Sequence, residues 1–111
     1  MYKRARGIPV YWGMEDKKPG RKIEVLQLTK YIDLINESRA THNCVASYHQ
    51  RCSQNSSYIF SLRIDGVRQA TIEVRGDAAV QARVSRNRSL SDYPLHCLRK
   101  WTAKFNLAED F

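Results

Sequence analysis

Long apolar runs are absent from this chain, and their absence excludes a membrane-spanning protein. No stretch approaches the roughly 18 consecutive apolar residues that a transmembrane helix needs. The first residues are basic, but they lack the apolar segment of a secretory signal. We therefore expect a cytoplasmic protein that makes no contact with a membrane.

Cysteine is scarce as well, with Cys44, Cys52 and Cys97 making an odd number and no paired CxxC motif. A structural zinc site needs four ligands at characteristic spacings. His49 lies between Cys44 and Cys52, but these residues do not complete such a set. We predict reduced thiols buried as small apolar groups, no bound metal and no cofactor.

Acidic residues are outnumbered, since 19 Lys and Arg stand against 11 Asp and Glu for a net charge of +8. A basic surface attracts phosphate backbones through long-range steering and counterion release. The alternative is that the charge only keeps the protein in solution. With 111 residues, 42% of them apolar, the chain is long enough for one domain with its own core.

The chain divides into three predicted parts. Residues 1–22 form a basic N-terminal arm, which ends near the turn-prone pair at positions 19 and 20. Within it, residues 8–12 carry an apolar patch that could add an edge strand or dock on the domain. Residues 23–106 form the folded domain, and residues 107–111 form a frayed tail.

Helical spacing of apolar residues predicts three helices. The first runs over 29–39, with Thr29 as its N-cap, and the second runs over 41–53. The third begins near Ser91 and continues to about Phe105. We expect the apolar side of the first helix to pack against the sheet described next.

Alternating apolar residues predict three antiparallel strands over 58–64, 68–74 and 79–85. Asp65-Gly66 is a strong hairpin signal between the first two. A short extended piece near Ile23 could supply a fourth strand. The sequence thus predicts an α+β fold with two N-terminal helices, a three- to four-stranded antiparallel meander and a C-terminal helix.

The meander has a second, polar face, because residues two apart in a strand point the same way. If the apolar residues face the helices, the polar face is exposed. Ordinary solvation explains such a face, but its arginines also suit phosphate oxygens. The predicted nucleic-acid-binding residues on and after this face are Arg63, Thr71, Gln81, Arg83, Arg86, Asn87 and Arg88.

Aromatic residues divide into two groups. Four fit the core side of strands or the stripe of the last helix: Tyr58, Phe60, Trp101 and Phe105. Three others remain as candidates for stacking on bases: Tyr11, Trp12 and Tyr93.

Residues 41–48 (THNCVASY), 58–63 (YIFSLR) and 71–74 (TIEV) are short motifs that together resemble the PcfJ-like family of plasmids and phages. Residues 41–48 (THNCVASY) resemble its HCVxxY box, although Asn43 stands where the family has His, and His42 lies one residue earlier. Residues 58–63 (YIFSLR) and 71–74 (TIEV) resemble its following strands. Residues 81–88 resemble its Q-x-R and N-R segment, without the usual Gly. These motifs occur in the family's order over roughly 23–105.

The resemblance implies a role in mobile genetic elements and leaves the activity open. The favoured hypothesis is a module that binds nucleic acid through the arginine-bearing sheet face. A second is a metal-independent RNase with Glu73 as general base, His42 or His49 as acid, and Arg63 or Arg83 as phosphate clamp. A third is a protein that binds or inhibits a host defence or conjugation complex. A homodimer through the arm or residues 23–28 is also left open.

Overall fold

The computed structural model describes residues 1–18, 20–84 and 90–111. Its strands are β1 (Tyr11–Asp16), β2 (Arg21–Gln27), β3 (Tyr58–Ile64), β4 (Val67–Arg75), β5 (Ala78–Arg83) and β6 (Ala108–Glu109). Its helices are α1 (Tyr31–Thr41), α2 (His49–Ser53) and α3 (Asp92–Lys104), with a 3₁₀ helix at Val45–Tyr48 before α2.

The strands form one mixed sheet in the order β1-β2-β3-β4-β5-β6. Neighbours are antiparallel except β5 and β6, which are parallel. The predicted α+β class, the meander and the C-terminal helix are confirmed. The prediction that two helices begin the domain is wrong, because the β1–β2 hairpin precedes them and extends the sheet.

The segment predicted as an arm is hydrogen-bonded to the rest of the molecule. Besides carrying β1, it is held at Tyr2, whose N–H donates to the Thr29 carbonyl at 2.6 Å. The buried Gln27 side chain accepts from the Ala5 N–H at 3.0 Å and donates to the Lys3 carbonyl at 2.8 Å. β2 lies between β1 and β3. Residues 23–27, where the sequence left a homodimer open, therefore already pair their backbone within the chain.

The turn between β3 and β4 follows directly from its sequence. Asp65 and Gly66 have φ angles of 52° and 79°. Two successive positive φ angles match the twist of a tight hairpin, and glycine adopts such an angle at little cost. This local signal places β4 beside β3 and fixes which residues share a face.

The apolar face of the sheet packs against α3, as the alternation predicted. Phe60, Leu62 and Ile72 of the strands are fully buried with Leu98 and Trp101 of α3. Phe60 and Trp101 lie with their ring centroids 4.9 Å apart. The core assignment of these aromatic residues is therefore confirmed.

The polar face is covered too, so the expectation that it is open to solvent is wrong. Ser61, Thr71 and Glu73 are 0%, 5% and 2% exposed. A smaller core, in which Leu34 of α1 and Val45 meet Ile59 of β3, packs on this side. The first helix thus covers the polar face and not the apolar one, because its buried face carries an acidic residue that pairs with the polar strand residues.

The second predicted helix, over 41–53, is interrupted at its start. His42 adopts a left-handed conformation with φ 53° and ends α1. The Asn43 side chain then accepts from the Val45 N–H at 3.2 Å, a local turn that competes with helix. The chain resumes as the 3₁₀ helix and the short α2.

The end of the chain returns to the sheet. Leu107 is buried, and the Ala108 and Asp110 N–H groups donate to the carbonyls of Asp77 and Ala79, each at 2.8 Å. The segment predicted as a frayed tail therefore carries β6. Among the described residues, no helix is both long and apolar enough to cross a bilayer.

Candidate nucleic-acid site

Two rows of side chains cross the covered face of the sheet, and the register of the strands determines which residues belong to each row. Glu73 lies opposite Ile59 of β3 on one side and Gln81 of β5 on the other. One step along, Thr71 lies between Ser61 and Arg83. Side chains opposite one another on the same face are close neighbours. The meander therefore brings together residues from separate motifs.

The segment after α1 closes over these rows and leaves a cavity of about 100 Å³. We call it the motif cavity. It is lined by Asn43, Cys44, Val45, Ser47, Tyr48, Ile59, Thr71, Glu73, Gln81 and Arg83. Residues of the HCVxxY-like box therefore meet residues of the two strand motifs in one place.

Asn43 stands at the wall of this cavity and is only 9% exposed. Its Oδ1 accepts from the Val45 N–H, which fixes the orientation of the amide because a backbone N–H can only donate. Its Nδ2 has no hydrogen-bond acceptor among the described residues. The amide therefore holds the turn before the 3₁₀ helix, and its Nδ2 is enclosed rather than open to the cavity.

Tyr48 forms another wall. Its hydroxyl donates to Gln81 Oε1 at 3.1 Å, and the Arg51 guanidinium lies 5.3 Å from its ring centroid. Burial, followed by the nearby charge of Glu73, raises the pKa of Tyr48. The phenol therefore stays protonated at neutral pH and serves as a hydrogen-bond donor.

Glu73 is the buried anion of the site. Burial alone would raise its pKa, but hydrogen bonds from Arg75 and Ser57, together with the charges of Arg75 and Arg51, lower the pKa on balance. Ser57 Oγ donates to Glu73 Oε2 at 2.6 Å, and the Arg75 guanidinium donates to both carboxylate oxygens at 2.8 and 3.3 Å. Arg51 adds a longer contact of 3.4 Å.

Arg51, Arg75 and Arg83 surround this carboxylate at the surface, and we call them the arginine rim. The side chains of Arg51 and Arg75 are 50% and 47% exposed, and Arg83 is exposed at the end of β5. Since their guanidinium groups reach solvent while the glutamate does not, this surface presents positive charge. Planar guanidinium groups suit phosphate oxygens in particular.

The lowered pKa of Glu73 predicts a specific pH dependence of stability. Unfolded glutamate titrates near its ordinary value of 4.5, whereas folded Glu73 holds its proton less tightly. Its stabilising contribution is therefore present above 4.5 and is lost as pH falls through the lower folded pKa. We expect Glu73→Gln to flatten the acid limb of a plot of unfolding free energy against pH. An acid limb identical to that of the wild type would contradict the assignment.

The sequence-predicted residues separate into three groups in the structure. Thr71, Glu73, Gln81 and Arg83 come together in the motif cavity. His42 is exposed where α1 ends and does not line the cavity, and half-buried Arg63 donates to Ser61 Oγ at 3.3 Å. The remaining three lie outside the described residues and stay predictions from sequence: Arg86, Asn87 and Arg88.

The predicted general base, Glu73, lines the motif cavity, but the predicted general acids, His42 and His49, do not. A general base works best with a pKa near the operating pH, whereas the pKa of Glu73 is lowered below 4.5. His49 lies outside the cavity lining, and its Nδ1 is 2.6 Å from the Tyr2 hydroxyl. The arrangement suits binding better than proton transfer.

The candidate stacking residues are partly engaged elsewhere. Trp12 is half-buried against the core, and the Tyr93 hydroxyl donates to Asp16 Oδ2 at 3.0 Å. Tyr11 is 50% exposed, and its hydroxyl donates to Glu24 at 2.7 Å. None of the three lines the motif cavity, where Tyr48 is the aromatic residue.

Glu37 is a central residue that the sequence reasoning missed. It is fully buried in α1, and it accepts from Thr71 Oγ1 at 2.7 Å, Ser61 Oγ at 3.0 Å and Arg68 Nε at 2.8 Å. The signal was present, because Leu34, Glu37 and Thr41 are spaced by three and four residues and so share a helical face. A glutamate on that face predicts a buried partner.

The cysteines differ in environment. Cys52 and Cys97 are buried as predicted, but Cys44 is exposed at the motif cavity. Burial, with a smaller effect of Glu73, raises the pKa of Cys52 to about 11, so this thiol stays protonated. No group of three or more His, Cys, Asp or Glu side chains in the described ranges is placed to hold a metal ion.

These features define a class of α+β domain in which an antiparallel meander is covered on both faces and short motifs meet in one cavity. A family model, PcfJ-like protein, matches residues 12–96, and the chain belongs to this family. The match includes the β1–β2 hairpin, which the motifs in the sequence had not indicated. No curated protein and no solved structure matches the chain.

Proposed function

We propose that this PcfJ-like domain binds nucleic acid at the arginine rim and the motif cavity, as a cytoplasmic protein of a mobile element. The observation that carries the proposal is that exposed arginines cluster beside a cavity built from the family's motifs, with Arg83 in its lining. The net charge of +8 adds long-range attraction for a phosphate backbone. Arg83 has the central role, since it is exposed and also lines the cavity.

Because the polar face of the sheet is covered, the proposed binding surface differs from the open sheet face expected from the sequence. Thr71 is buried beneath α1 and donates to Glu37, so it supports the cavity from below. Phosphates would instead meet the exposed guanidinium groups of the rim. The chemistry of attraction remains that of arginine with phosphate, which is independent of base sequence.

Salt-dependent binding tests the proposal. We expect labelled oligonucleotides to bind with an affinity that falls linearly, on logarithmic scales, between about 50 and 200 mM salt. Arg83→Gln should weaken binding several-fold and reduce the salt slope by about 1, the change expected for one lost phosphate contact. Fluorescence anisotropy measures both quantities.

Lys104→Gln is the matched control, because Lys104 is exposed on α3, which packs against the opposite face of the sheet. It removes one positive charge without touching the rim. Equal effects of the two substitutions would show that only net charge matters and would contradict the site. Absence of binding even at low salt would reject the function and favour an acidic protein partner.

The same mixtures, incubated in EDTA and run on a denaturing gel, test the alternative RNase. Its motivation is the presence of Glu73 in a cavity beside arginines. Because the low pKa of Glu73 makes it a weak base, we expect intact oligonucleotides. Cleavage that disappears in Glu73→Gln would establish the enzyme instead.

A further inference from the structure

A cluster of aromatic rings lies at the surface where the N-terminal segment, α1 and α2 meet. The Tyr31 and His49 rings have centroids 4.3 Å apart, and the Tyr2 ring centroid lies 5.8 Å from that of His49. Tyr31 is 48% exposed and His49 is exposed as well, so the cluster presents ring surface to solvent. We call these three residues the aromatic platform.

Hydrogen bonds hold the platform in place. The Tyr2 hydroxyl lies 2.6 Å from His49 Nδ1. Burial is the main cause that raises the pKa of Tyr2 to about 12, so its hydroxyl keeps a proton to donate at neutral pH. The Tyr2 backbone N–H donates to the Thr29 carbonyl, just before α1. A preorganised surface loses little conformational entropy when a ligand binds to it.

The platform borders an open groove of about 400 Å³. Lys3, Ser53 and Asn55 line this groove together with the three rings. None of the described residues in this lining is acidic, whereas the motif cavity contains the carboxylate of Glu73. The groove therefore combines ring surface with positive charge, as sites for single-stranded nucleic acid do.

The helical segment 48–53 lies between this groove and the arginine rim. Tyr48 and Arg51 are three residues apart, and the Arg51 guanidinium lies 5.3 Å from the Tyr48 ring centroid on the side of the motif cavity. His49 and Ser53, four residues apart, both line the groove. Residues three or four apart share a face of a helix. The two sites are therefore separated by the thickness of one helix, about 10 to 12 Å.

We propose that the aromatic platform stacks one unpaired base of a single strand whose phosphates lie on the arginine rim. This inference rests on the proposed function, because the rim supplies the attraction for the backbone. Every base has a π-face, so stacking on exposed rings tolerates any base. Lys3 lies in the groove to meet a phosphate beside the stacked base. In a duplex the bases are paired and stacked on one another, and extracting one costs free energy.

The test compares two labelled single strands of about twelve nucleotides, a length within the range that single-strand binders cover. One is oligothymidylate, and the other is an abasic strand with the same number of phosphates. We expect the strand with bases to bind about tenfold more tightly, within the range typical of one base stacked on one aromatic side chain. Fluorescence anisotropy measures the ratio of the two affinities.

Tyr31→Ala is the informative variant, because it removes the exposed ring. It should bring the affinity of oligothymidylate close to that of the abasic strand and leave the abasic affinity unchanged. Tyr31→Phe keeps the ring and should keep the preference. Tyr11→Ala, the matched control, removes a ring that is 50% exposed on β1 and does not line the groove, so it should preserve the ratio.

His49→Ala provides a second probe at an exposed position. It removes the ring on which Tyr31 packs and should lower the ratio as well. Arg83→Gln should instead weaken both strands by the same factor, because it removes a phosphate contact and no ring. Circular dichroism would confirm that each variant is folded.

The results separate the platform from the rim. Equal binding of the two strands by the wild type, or an unchanged ratio in folded Tyr31→Ala, would overturn the platform while leaving the arginine rim intact. Loss of the preference in Tyr31→Phe would assign it to the hydroxyl and would also overturn stacking. No binding of either strand at low salt would reject the nucleic-acid function along with the platform.

Discussion

Glu37→Ala is expected to destabilise the domain by about 3 to 5 kcal/mol, the cost typical of removing one partner from a buried ion pair. Glu37 is fully buried and is the acceptor for Ser61, Thr71 and Arg68. Arg68 is 32% exposed and can turn to water, but the two hydroxyls are enclosed. Since small domains are stable by only about 5 to 15 kcal/mol, this loss is severe.

Urea denaturation followed by circular dichroism would measure this effect. Glu37→Gln should be milder, about 1 to 3 kcal/mol, because one carbonyl oxygen remains and the hydroxyls can reorient. Glu15→Ala, at an exposed position in β1, removes a carboxylate at the surface and should cost less than about 0.5 kcal/mol. Similar losses for the Glu37 and Glu15 variants would refute the buried network.

The Glu37 network also has a structural consequence for the site. By attaching α1 to β3 and β4, it holds the following segment, Asn43 included, above the polar rows of the sheet. If Glu37→Ala is unfolded, Thr71→Val provides a smaller probe, since it removes one hydroxyl from the same acceptor. We expect it to lower stability by about 1 kcal/mol.

Trp101→Ala is expected to have a comparably large effect, about 3 to 5 kcal/mol, through loss of a buried aromatic side chain and the cavity left behind. Trp101 is fully buried, and its ring lies 4.9 Å from Phe60 and 6.3 Å from Phe105. Trp101→Phe should cost less. It keeps an aromatic ring and removes an indole N–H that has no acceptor among the described residues.

Thermal denaturation of these variants would be compared with that of Tyr31→Ala, whose side chain is 48% exposed. The exposed aromatic should contribute below about 1 kcal/mol. Trp101 packs on the face of the sheet opposite the motif cavity, so variants that remain folded should bind oligonucleotides like the wild type. Loss of binding in folded Trp101→Phe would contradict the separation of core and site.

The meander was predictable because its signals are local. Alternation along 58–64 and the Asp65-Gly66 turn fixed both pairing and the apolar face. The β1–β2 hairpin was predicted only as a possible edge strand in residues 8–12 and an extended piece near Ile23, because Gly13 and charged residues interrupt the apolar pattern of β1. The edge strand is held by its backbone pairing with β2, from Asp16 opposite Arg21 to Tyr11 opposite Leu26, and this pairing needs no apolar alternation in β1.

The covering of the polar face could not be read from the strands themselves. Ser61, Thr71 and Glu73 have the composition of a solvent-exposed face, and only their partners show that they are buried. Those partners, Glu37 and Ser57, come from separate segments. Such contacts depend on how α1 crosses the sheet, which a periodic pattern does not encode.

By itself, the sequence determined the class of fold, the meander and its core, the basic charge and the family, since these depend on local periodicity, composition and the order of motifs. Only the tertiary structure decided that the polar face is enclosed, that His42 lies outside the cavity, and that Asn43 meets Glu73, Gln81 and Arg83 around it. The physical reason is that the cavity forms between segments that are distant in sequence. The buried carboxylate of Glu37 likewise finds its hydrogen-bond donors on β3 and β4, far from α1 in sequence.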